Sequence, residues 1–356
     1  MKNLTVSLKD KSYDIIIENG VLDKVGKEVK DIYNGNKVCV VTDKNVCKLY
    51  GNRIKKSLEL EGFKAYFIVV KPGEGSKSFE TLHEVYNKFI EFKLTRGDLV
   101  IAFGGGVVGD LAGFAASTYL RGISYIQIPT SLLAQIDSSI GGKVAVNLPQ
   151  GKNLVGSFYH PKKVIIDPKV LETLSNRFLK DGLGEVIKYA CIKDKELFEM
   201  LNNIKSEDEL NSNMSNIIYT CCNIKREIVE KDEKDLGLRM ILNFGHTFGH
   251  GIEKFFNYEG YSHGEAVALG MYYITNKSEL LGFTEKGTSQ KVKNILENFN
   301  IDYNIPDVSM DKIKDTITLD KKNIGSFINL ILLKRIGEAY IEKISSNDIN
   351  IFFSIE

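Results

Sequence analysis

Three of the five histidines of this chain, His246, His250 and His263, lie close together in the sequence. His246 and His250 are four residues apart, so both imidazoles lie on one face if the segment is helical. Neutral imidazole is a common ligand of zinc-like metals, and a ligand from elsewhere would complete a catalytic site with an open position. The zincin signature is excluded because Thr247, not glutamate, follows the first histidine. Taken alone, this pair favours the simpler alternative of a core or hydrogen-bonding His250 and a helix-capping His263 over metal binding, and the rest of the sequence has to decide between the two.

Acidic and basic residues that could share this site lie earlier in the same half of the chain. Glu185 could supply an oxygen ligand beside the imidazoles. Lys188 lies one helical turn further on, so an ordinary ion pair on a helix surface would explain the same two residues. A further polar set follows at Lys225, Arg239 and Asn243.

A glycine-rich segment follows an apolar run and precedes a helical pattern. Gly104, Gly106 and Gly109 satisfy G-x-G-x-x-G, and bare amides after a strand can approach a pyrophosphate at a helix N-terminus. The next apolar run, 125–128, ends in Pro129-Thr130-Ser131 rather than in an acid, which argues against an ordinary Rossmann half. The alternative is that these glycines only let a helix pack closely on a strand.

Two further segments contribute polar residues. In the turn-rich segment 72–77, Glu74 could hold ribose hydroxyls and Lys77 a phosphate, unless the segment is simply a solvated turn. Small, polar and basic residues then recur between 121 and 153 at a density that favours a phosphorylated, hydroxyl-rich ligand, although each alone fits a turn or a charged surface. They are Arg121, Thr130, Ser131, Asp137, Ser138, Ser139, Gly141, Gly142, Lys143, Asn147, Lys152 and Asn153.

The elements that must position these residues follow from the apolar periodicity. In the first half, apolar runs of strand length alternate with helical patterns, which predicts a mainly parallel sheet covered by helices. From about 171 to 300 the pattern is helical, and a late apolar pair predicts two short strands or a hairpin. We therefore expect an α/β domain over 1–170 and a mostly helical domain over 171–356. The predicted strands are 38–42, 65–70, 99–103, 125–128 and 164–167, with the late pair at 327–333 and 339–343, and the first predicted helices are 45–61 and 78–92.

Composition narrows the class of protein. The 356 residues are 43% hydrophobic and 26% charged with a net charge of +1, which fits about two globular domains and argues against a general nucleic-acid or membrane-surface binder. No apolar stretch suits a membrane span, and the polar N-terminus does not resemble a signal peptide. Five cysteines without a Cys-x-x-Cys pair argue against a zinc ribbon and for reduced thiols, as in a cytoplasmic protein.

Long motifs over almost the whole chain resemble the 3-dehydroquinate synthase family of the sugar-phosphate cyclase superfamily. The first half contains GGGVVGDLAGF at 104–114, QIPTSLLAQIDSSIGGK at 127–143 and GKNLVGSF at 151–158. The second half contains GEVIKYA at 184–190, NFGHTFGH at 243–250 and HGEAVALGM at 263–271. Ser131 and Gly184 depart from the threonine and alanine that are usual in the family.

The resemblance implies a homodimeric enzyme that uses NAD and a divalent metal, zinc or cobalt, with an active site in the cleft between an NAD-binding domain and a metal- and substrate-binding domain. Its reaction would convert 3-deoxy-D-arabino-heptulosonate 7-phosphate to 3-dehydroquinate and phosphate in aromatic amino-acid biosynthesis. Carried over by motif, Glu185, His246 and His263 would hold the metal. His250 would instead face the substrate and handle protons, so the two histidines four apart would not both be ligands.

The same resemblance assigns the remaining positions. Lys188 and Asn243 join His250 in catalysis, and Arg121 is expected to reach the substrate phosphate across the dimer interface. The substrate-binding positions are Arg121, Asp137, Lys143, Asn153, Lys225, Arg239 and one of Lys321 or Lys322. Of these two lysines, Lys322 is the predicted ligand of the substrate. The NAD-binding positions are Asp43, Glu74, Lys77, Gly106, Val107, Val108, Gly109, Asp110, Thr130, Ser131, Lys143, Lys152 and Thr173.

Sister cyclases are the nearest alternatives. They make deoxy-scyllo-inosose or valiolone precursors from substrates without a carboxylate, whereas Lys143, Arg239 and Asn243 favour a substrate that has one. A polyol dehydrogenase with net redox turnover would need no set of phosphate-binding lysines. A non-enzymatic relative would lack a metal- or substrate-binding residue, and every such position is present.

Overall fold

The computed structural model of this chain describes residues 1–256, 260–305, 313, 327–345 and 349–353. By its internal contacts the chain divides into two compact units. Unit 1 is Met1–Ser175 with Met214–Lys234, and unit 2 is Asn176–Asn213 with Asp235–Glu356. The division into domains at residue 170 stays a prediction; the structure adds that the segment Met214–Lys234, which the periodicity places in the helical half, packs with unit 1. None of the helices among the described residues has the length and apolar character needed to cross a bilayer.

Unit 1 is built on a mainly parallel sheet, as predicted. Its strands are β1 (Lys2–Val6), β2 (Tyr13–Ile17), β3 (Lys37–Asp43), β4 (Lys64–Val70), β5 (Leu99–Gly104), β6 (Ser124–Pro129), β7 (Lys143–Leu148), β8 (Gly151–Phe158) and β9 (Lys163–Ile166). Seven of them form one sheet in the order β1-β2-β9-β6-β5-β3-β4, in which only β1 and β2 pair antiparallel. All five strands predicted for this half are confirmed, as β3, β4, β5, β6 and β9. The hairpins β1–β2 and β7–β8 were not predicted.

Helices cover both faces of this sheet, which explains why its central strands are continuous apolar runs. They are α1 (Val25–Lys30), α2 (Lys44–Leu60), α3 (Phe79–Glu91) and α4 (Gly106–Thr118). Along β3, Val38 and Val40 pack with α1 and α2, whereas Cys39 and Val41 pack with α3 and α4. The two faces alternate because successive strand residues point to opposite sides of the sheet.

Unit 2 is mostly helical, and its late apolar pair is an antiparallel hairpin, as predicted. Its elements are α5 (Asn176–Lys193), α6 (Lys195–Asn203), the first part of α7 (Glu207–Lys231), α8 (His246–Phe255), α9 (His263–Leu280), α10 (Thr288–Asn298), β10 (Phe327–Arg335), β11 (Glu338–Ser345) and a short helix at Asn350–Phe353. Three of these helices, α5, α8 and α9, begin at or contain the residues of the histidine motif and Glu185.

Helices α5 and α9 meet backbone to backbone at two glycines. A Cβ atom on Gly184 would lie 2.6 Å from the carbonyl oxygen of Gly264, and one on Gly264 would lie 2.0 Å from that of Asp181. The Asp181 carboxylate also accepts a hydrogen bond of 2.6 Å from the Gly264 N–H. Each glycine is next in sequence to a predicted metal ligand, Glu185 or His263, so this contact fixes how close those two side chains come.

Helices α8 and α9 approach each other in the same way. A Cβ on Gly270 would lie 2.1 Å from the carbonyl oxygen of Gly245, the N-cap of α8. Gly245 has φ +79°, a left-handed conformation that favours glycine, and its own Cβ would lie 2.6 Å from the Met271 side chain. His246 follows Gly245 directly, so this second contact fixes where α8 begins relative to α9.

We expect Gly264→Ala to destabilise the protein by ~1–3 kcal/mol, because the added methyl meets main-chain atoms that cannot rotate away. Gly97→Ala is the matched control, since the nearest atom to a Cβ there is the Thr95 hydroxyl at 3.9 Å. The measurement is the free energy of unfolding in denaturant for both variants and the parent. Equal stability of the two variants would show that α5 and α9 can separate without cost.

Candidate metal and active site

Glu185, His246 and His263 converge in unit 2 from three different helices. One ligand atom from each lies within 4.8 Å of the others. The Nε2 atoms of His246 and His263 are 3.5 and 3.7 Å from Oε1 of Glu185. A tetrahedral ion with ligands at ~2.1 Å would hold neighbouring ligand atoms ~3.4 Å apart. Two imidazoles and a carboxylate at this spacing therefore fit a zinc-like divalent cation.

The other ring nitrogen of each of these histidines faces a hydrogen-bond acceptor. Nδ1 of His246 lies 3.0 Å from the carbonyl oxygen of Phe244, and Nδ1 of His263 lies 3.3 Å from a carboxylate oxygen of Glu253. A carbonyl and an ionised carboxylate can only accept, so Nδ1 carries the hydrogen in both rings. In the neutral form of each ring, the Nε2 lone pair then faces Glu185, which is the tautomer that metal binding requires.

The two histidines differ in their electrostatics. Burial lowers the pKa of His246 well below its usual value, and the charges of Lys188, His263 and His250 act in the same direction. Burial also disfavours the charged form of His263, but the hydrogen bond to Glu253 and the nearby carboxylates outweigh it and raise its pKa to about 9. At neutral pH the metal-free site thus has one neutral and one protonated imidazole, and a bound cation must displace the proton on His263.

Glu185 and Lys188 form an ion pair inside the protein. Their side chains are each only 1% exposed, and the Lys188 ammonium also lies 4.9 Å from the centre of the Tyr189 ring. The interpretation of this pair as an ordinary helix-surface contact is therefore wrong. The ammonium of Lys188 and the carboxylate of Glu185 each compensate for the hydration that the other loses on burial.

His250 and His263 do not have the structural roles, a core residue and a helix cap, that the alternative to metal binding gave them. His250 does share a face of α8 with His246, with ring centres 5.4 Å apart, but its side chain is 59% exposed and its Nε2 lies 4.0 Å from Glu253. It is therefore not a core histidine and not part of the Glu185 group. His263 does not cap its helix either: the N-cap of α9 is Ser262, which forms a capping box with Glu265.

The other predicted residues of unit 2 lie just before α8. Arg239 is buried and Asn243 is exposed, and both belong to the short 3₁₀ segment Leu238–Asn243 that leads into the histidine motif. Lys321 and Lys322 lie outside the described residues.

In unit 1 most of the predicted NAD-binding residues lie at or after the carboxyl ends of four neighbouring parallel strands, β4, β3, β5 and β6, whereas Lys143, Lys152 and Thr173 lie on β7, on β8 and after β9. Strand β4 lies on one side of β3 in the sheet, and the next strand in the chain, β5, lies on its other side. Ligands of open α/β sheets bind at such a switch point.

The helices that follow β3 and β5 begin differently. At the end of β3, Asp43 accepts hydrogen bonds from the N–H groups of Asn45 and Val46 and so caps α2. After β5, Gly105 is the N-cap of α4, and no side chain of the described residues caps this end. Its first amide N–H groups are thus placed to bind an anion such as a pyrophosphate.

The glycines of this loop also allow close packing. A Cβ on Gly109 would lie 2.7 Å from the amide oxygen of Gln127 on β6, and one on Gly113 would lie 2.5 Å from Val144 on β7. Close packing of a helix on a strand, the alternative to phosphate binding, therefore explains the glycines at these two positions. A Cβ on Gly106 would be 3.0 Å from the Ser138 hydroxyl.

A polar network joins predicted NAD-binding and substrate-binding residues in unit 1. Buried Lys77 donates to the carboxylate of Asp110 and to the side-chain carbonyl of Asn153. Asn147 donates to Glu74 over 2.7 Å and accepts from the Asn153 N–H over 2.9 Å. Burial raises the pKa of Asp110, and the Lys77 ammonium offsets part of that effect. The loop after β4 and the β7–β8 hairpin are thus held together by side chains of the predicted site.

Lys225 lies in unit 1 and not in the helical unit to which the periodicity assigned it. Its ammonium donates to the carboxylate of Asp137 and, over 2.7 Å, to the Asp137 carbonyl. Asp137 belongs to a π-helical turn, Ala134–Ser138, a rare conformation that is frequent at functional sites. Periodicity shows that α7 is a helix, but it does not show which unit the helix packs against.

Several predicted residues of unit 1 lie at or near its surface. Arg121 and Lys143 are exposed, and Lys152 is partly exposed. Arg121 has φ +67° between two further left-handed residues, Leu120 and Gly122, and makes no hydrogen bond or ion pair with the described part of the chain.

The remaining predicted residues of unit 1 lie at the ends of its elements. Val107 and Val108 are at the start of α4, Thr130 and Ser131 follow β6, and Thr173 ends a 3₁₀ turn. The Thr173 hydroxyl is 2.7 Å from that of Tyr50.

Sequence reasoning assigned no role to Glu253 or Asp181. Glu253 lies seven residues after His246 and three after His250, so helical spacing alone places all three on one face of α8. This spacing could therefore have indicated Glu253 from the sequence alone. Asp181 had no comparable signal, because its role is a hydrogen bond to the main chain of another helix.

Comparison with known proteins places this chain in a family. Residues 67–181 match the family profile described as 3-dehydroquinate synthase N-terminal, and residues 182–323 match the one described as 3-dehydroquinate synthase C-terminal. The chain is 55% identical over 348 residues to a 3-dehydroquinate synthase from Clostridium acetobutylicum, which covers 98% of each protein.

Solved structures of related enzymes have the same fold. The 2-epi-5-epi-valiolone synthase ValA from Streptomyces hygroscopicus, solved with NAD⁺ and Zn²⁺, gives a TM-score of 0.87 at 27% identity over 97% of each chain. A 2-deoxy-scyllo-inosose synthase, solved with carbaglucose-6-phosphate, NAD⁺ and Co²⁺, gives 0.86 at 23% identity over 99% of this chain and 100% of the other. Because the profiles cover most of the sequence and the clostridial relative spans nearly all of it, this chain belongs to the 3-dehydroquinate synthase family.

Proposed function

We propose that this chain is a 3-dehydroquinate synthase. It converts 3-deoxy-D-arabino-heptulosonate 7-phosphate to 3-dehydroquinate and phosphate by transient oxidation of an alcohol, phosphate elimination, reduction and intramolecular aldol closure. The observation that carries the proposal is the convergence of Glu185, His246 and His263 in a chain of this family. When bound, the metal and NAD supply Lewis-acid polarisation and reversible hydride transfer, respectively.

The residues of unit 2 have distinct tasks in this proposal. Glu185, His246 and His263 hold the divalent metal, and the Lys188 ammonium pairs with Glu185 while lying near the substrate. His250 is exposed beside this group, where it can accept or give a proton at its imidazole and so takes part in proton handling. Arg239 and Asn243, just before α8, bind the substrate carboxylate, which the sister cyclases do not need.

Unit 1 supplies the NAD site and further substrate contacts in this proposal. The amide N–H groups at the start of α4 take the pyrophosphate, with the remaining cofactor positions arranged along the strand ends. Lys225, held by Asp137, and Asn153, held by Lys77, bind the substrate with their positions fixed before it arrives. Lys143 contributes to both ligands, and Lys322 completes the substrate set.

We further propose a cytoplasmic homodimer whose functional domains are 1–170 and 171–356. The described cysteines are all free, as expected in a reducing compartment. Arg121 supports the dimer, because it is exposed, has no partner among the described residues and carries the charge needed to bind a phosphate in the neighbouring subunit.

The direct test of the reaction is incubation of the metal-loaded protein with the heptulosonate 7-phosphate and a catalytic amount of NAD⁺. We expect phosphate and dehydroquinate in equal amounts without net NADH, because the hydride returns to the substrate. Turnover only on glucose 6-phosphate or a neutral heptulose phosphate would assign the chain to a sister cyclase, and accumulation of NADH would indicate a dehydrogenase.

His263→Ala should remove tightly bound metal and lower activity by roughly 10³-fold, because the ion loses one of its three protein ligands. The fold should survive, since the metal is a small addition to a large core. Metal per chain from elemental analysis and the rate of phosphate release are the measurements, with His83→Ala, an exposed histidine on α3, as the matched control. A His263→Ala protein with full metal content and normal turnover would contradict the ligand assignment.

Arg121→Ala should raise the KM for the phosphorylated substrate by ~10-fold or more with the KM for NAD unchanged, because a charge-assisted hydrogen bond to phosphate is lost. Arg335→Ala, an exposed arginine on β10, is the control. If Arg121 serves the partner's site, equal mixing of Arg121→Ala and His263→Ala chains should restore about a quarter of full activity, since half of the dimers then contain one intact site. Equal effects on both KM values, or no restoration on mixing, would count against this role.

A further inference from the structure

The two imidazoles that face Glu185 are oriented by different kinds of group. His246 is held by a main-chain carbonyl, that of Phe244, which no side-chain substitution can remove. His263 is held by the carboxylate of Glu253, a side chain from a different helix. The orientation of His263 therefore depends on a single residue that can be changed.

We propose that Glu253 is the positioning residue of the metal site: through its hydrogen bond to Nδ1 of His263, it fixes the ring with Nε2 toward Glu185 and strengthens that nitrogen as a ligand. The inference rests on the proposed metal-binding function of Glu185, His246 and His263. A carboxylate that accepts from the far nitrogen of a ligating histidine sets its tautomer and raises its basicity.

The position of His263 explains why it needs such a group. It is the first residue of α9, and the capping box of Ser262 and Glu265 fixes the backbone there without touching the ring. About a third of the His263 side chain is exposed, so packing alone does not hold the imidazole. Glu253, by contrast, is buried on α8, whose position against α9 is set by the contact of Gly245 with Gly270.

The burial of Glu253 itself points to the same role. A carboxylate that loses its hydration is costly unless cations or hydrogen-bond donors replace the water. Its carboxylate lies 3.3 Å from Nδ1 of His263 and 4.0 Å from Nε2 of His250, so its contacts include two imidazoles of the site.

The charge of Glu253 also suits a divalent cation. Glu185 and Asp181 are further buried carboxylates around the metal-binding histidines, and the Lys188 ammonium pairs with Glu185. Replacing Glu253 by glutamine would remove one negative charge from beside the ion and make its binding less favourable.

The test is the zinc affinity of the whole protein, measured by competition with a chromophoric chelator. Glu253→Gln should bind zinc ~10–100-fold more weakly than the parent, the range expected for loss of such an orienting carboxylate. The absorption spectrum of the cobalt-loaded variant should also shift, because a neutral amide accepts a weaker hydrogen bond from Nδ1 than a carboxylate does and leaves His263 a less basic, less firmly oriented ligand. A purely structural role for Glu253 would leave that spectrum unchanged.

Glu265→Gln is the matched control. It removes the same charge two residues from His263, but an amide there can still accept the capping hydrogen bond from Ser262, so zinc affinity and the cobalt spectrum should remain those of the parent. Glu253→Asp is the second variant, needed if Glu253→Gln does not fold. It keeps the charge but draws the carboxylate back by one methylene, and its zinc affinity should fall between those of parent and glutamine variant.

Two results would overturn the inference, and they can be told apart. A parent protein that binds one zinc ion, with a folded Glu253→Gln or Glu253→Asp of equal affinity and unchanged cobalt spectrum, contradicts the role of Glu253 alone. A parent protein that binds no stoichiometric metal contradicts the metal assignment itself, and the role of Glu253 with it.

Discussion

The close approach of α5, α8 and α9 is the constraint on which the rest of the site depends. Gly184 and Gly264 let α5 and α9 touch through their backbones, and Gly245 and Gly270 do the same for α8 and α9. Cβ atoms at these points would lie 2.0–2.7 Å from main-chain oxygens, so larger residues would force the helices apart. Only at this separation do the short side chains of two histidines and a glutamate, one from each helix, reach a common point.

The same approach places several charges in a small, largely buried volume. Lys188 compensates Glu185, and the imidazole of His263 compensates Glu253, whereas His246 is kept neutral by its burial and by the surrounding positive charge. Buried charges that are incompletely paired are costly to a fold and are kept where they serve a ligand. A divalent cation that displaces the proton of His263 would take over the compensation of Glu253, which links the electrostatics of the site to its function.

Much of the fold was predictable because its central strands are buried on both faces. Such strands are uninterrupted apolar runs, as in β3 and β5, and periodicity finds them without knowledge of their neighbours. The β7–β8 hairpin escaped prediction because its apolar residues, such as Val144 and Val146, are interspersed with lysines, asparagines and glycines that are typical of loops and of binding sites alike. Gly184 appeared only as a departure from the family pattern, and the structure shows why its lack of a side chain matters: the α9 main chain lies against it.

Some residues of the site were predictable from the sequence, whereas contacts between elements were not. The motifs predicted Glu185, His246 and His263 as metal ligands, and the structure brings the three together. Local pattern could not place Lys225 with Asp137 in unit 1, since that depends on which way a long helix packs. Glu253 could have been found from its helical spacing to His246 and His250. Its pairing with His263 could not, because that contact joins two helices whose relative position only the fold determines.

We propose above all that Glu185, His246 and His263 together hold one metal ion. Anomalous diffraction from crystals of the zinc-loaded protein tests it most directly, because it locates the ion independently of any assumed ligand. We expect a single strong peak ~2.0–2.2 Å from Oε1 of Glu185 and from Nε2 of both histidines. A peak instead between His250, Glu253 and His263, the other group of suitable spacing among the described residues, or no peak at all in unit 2, would contradict it.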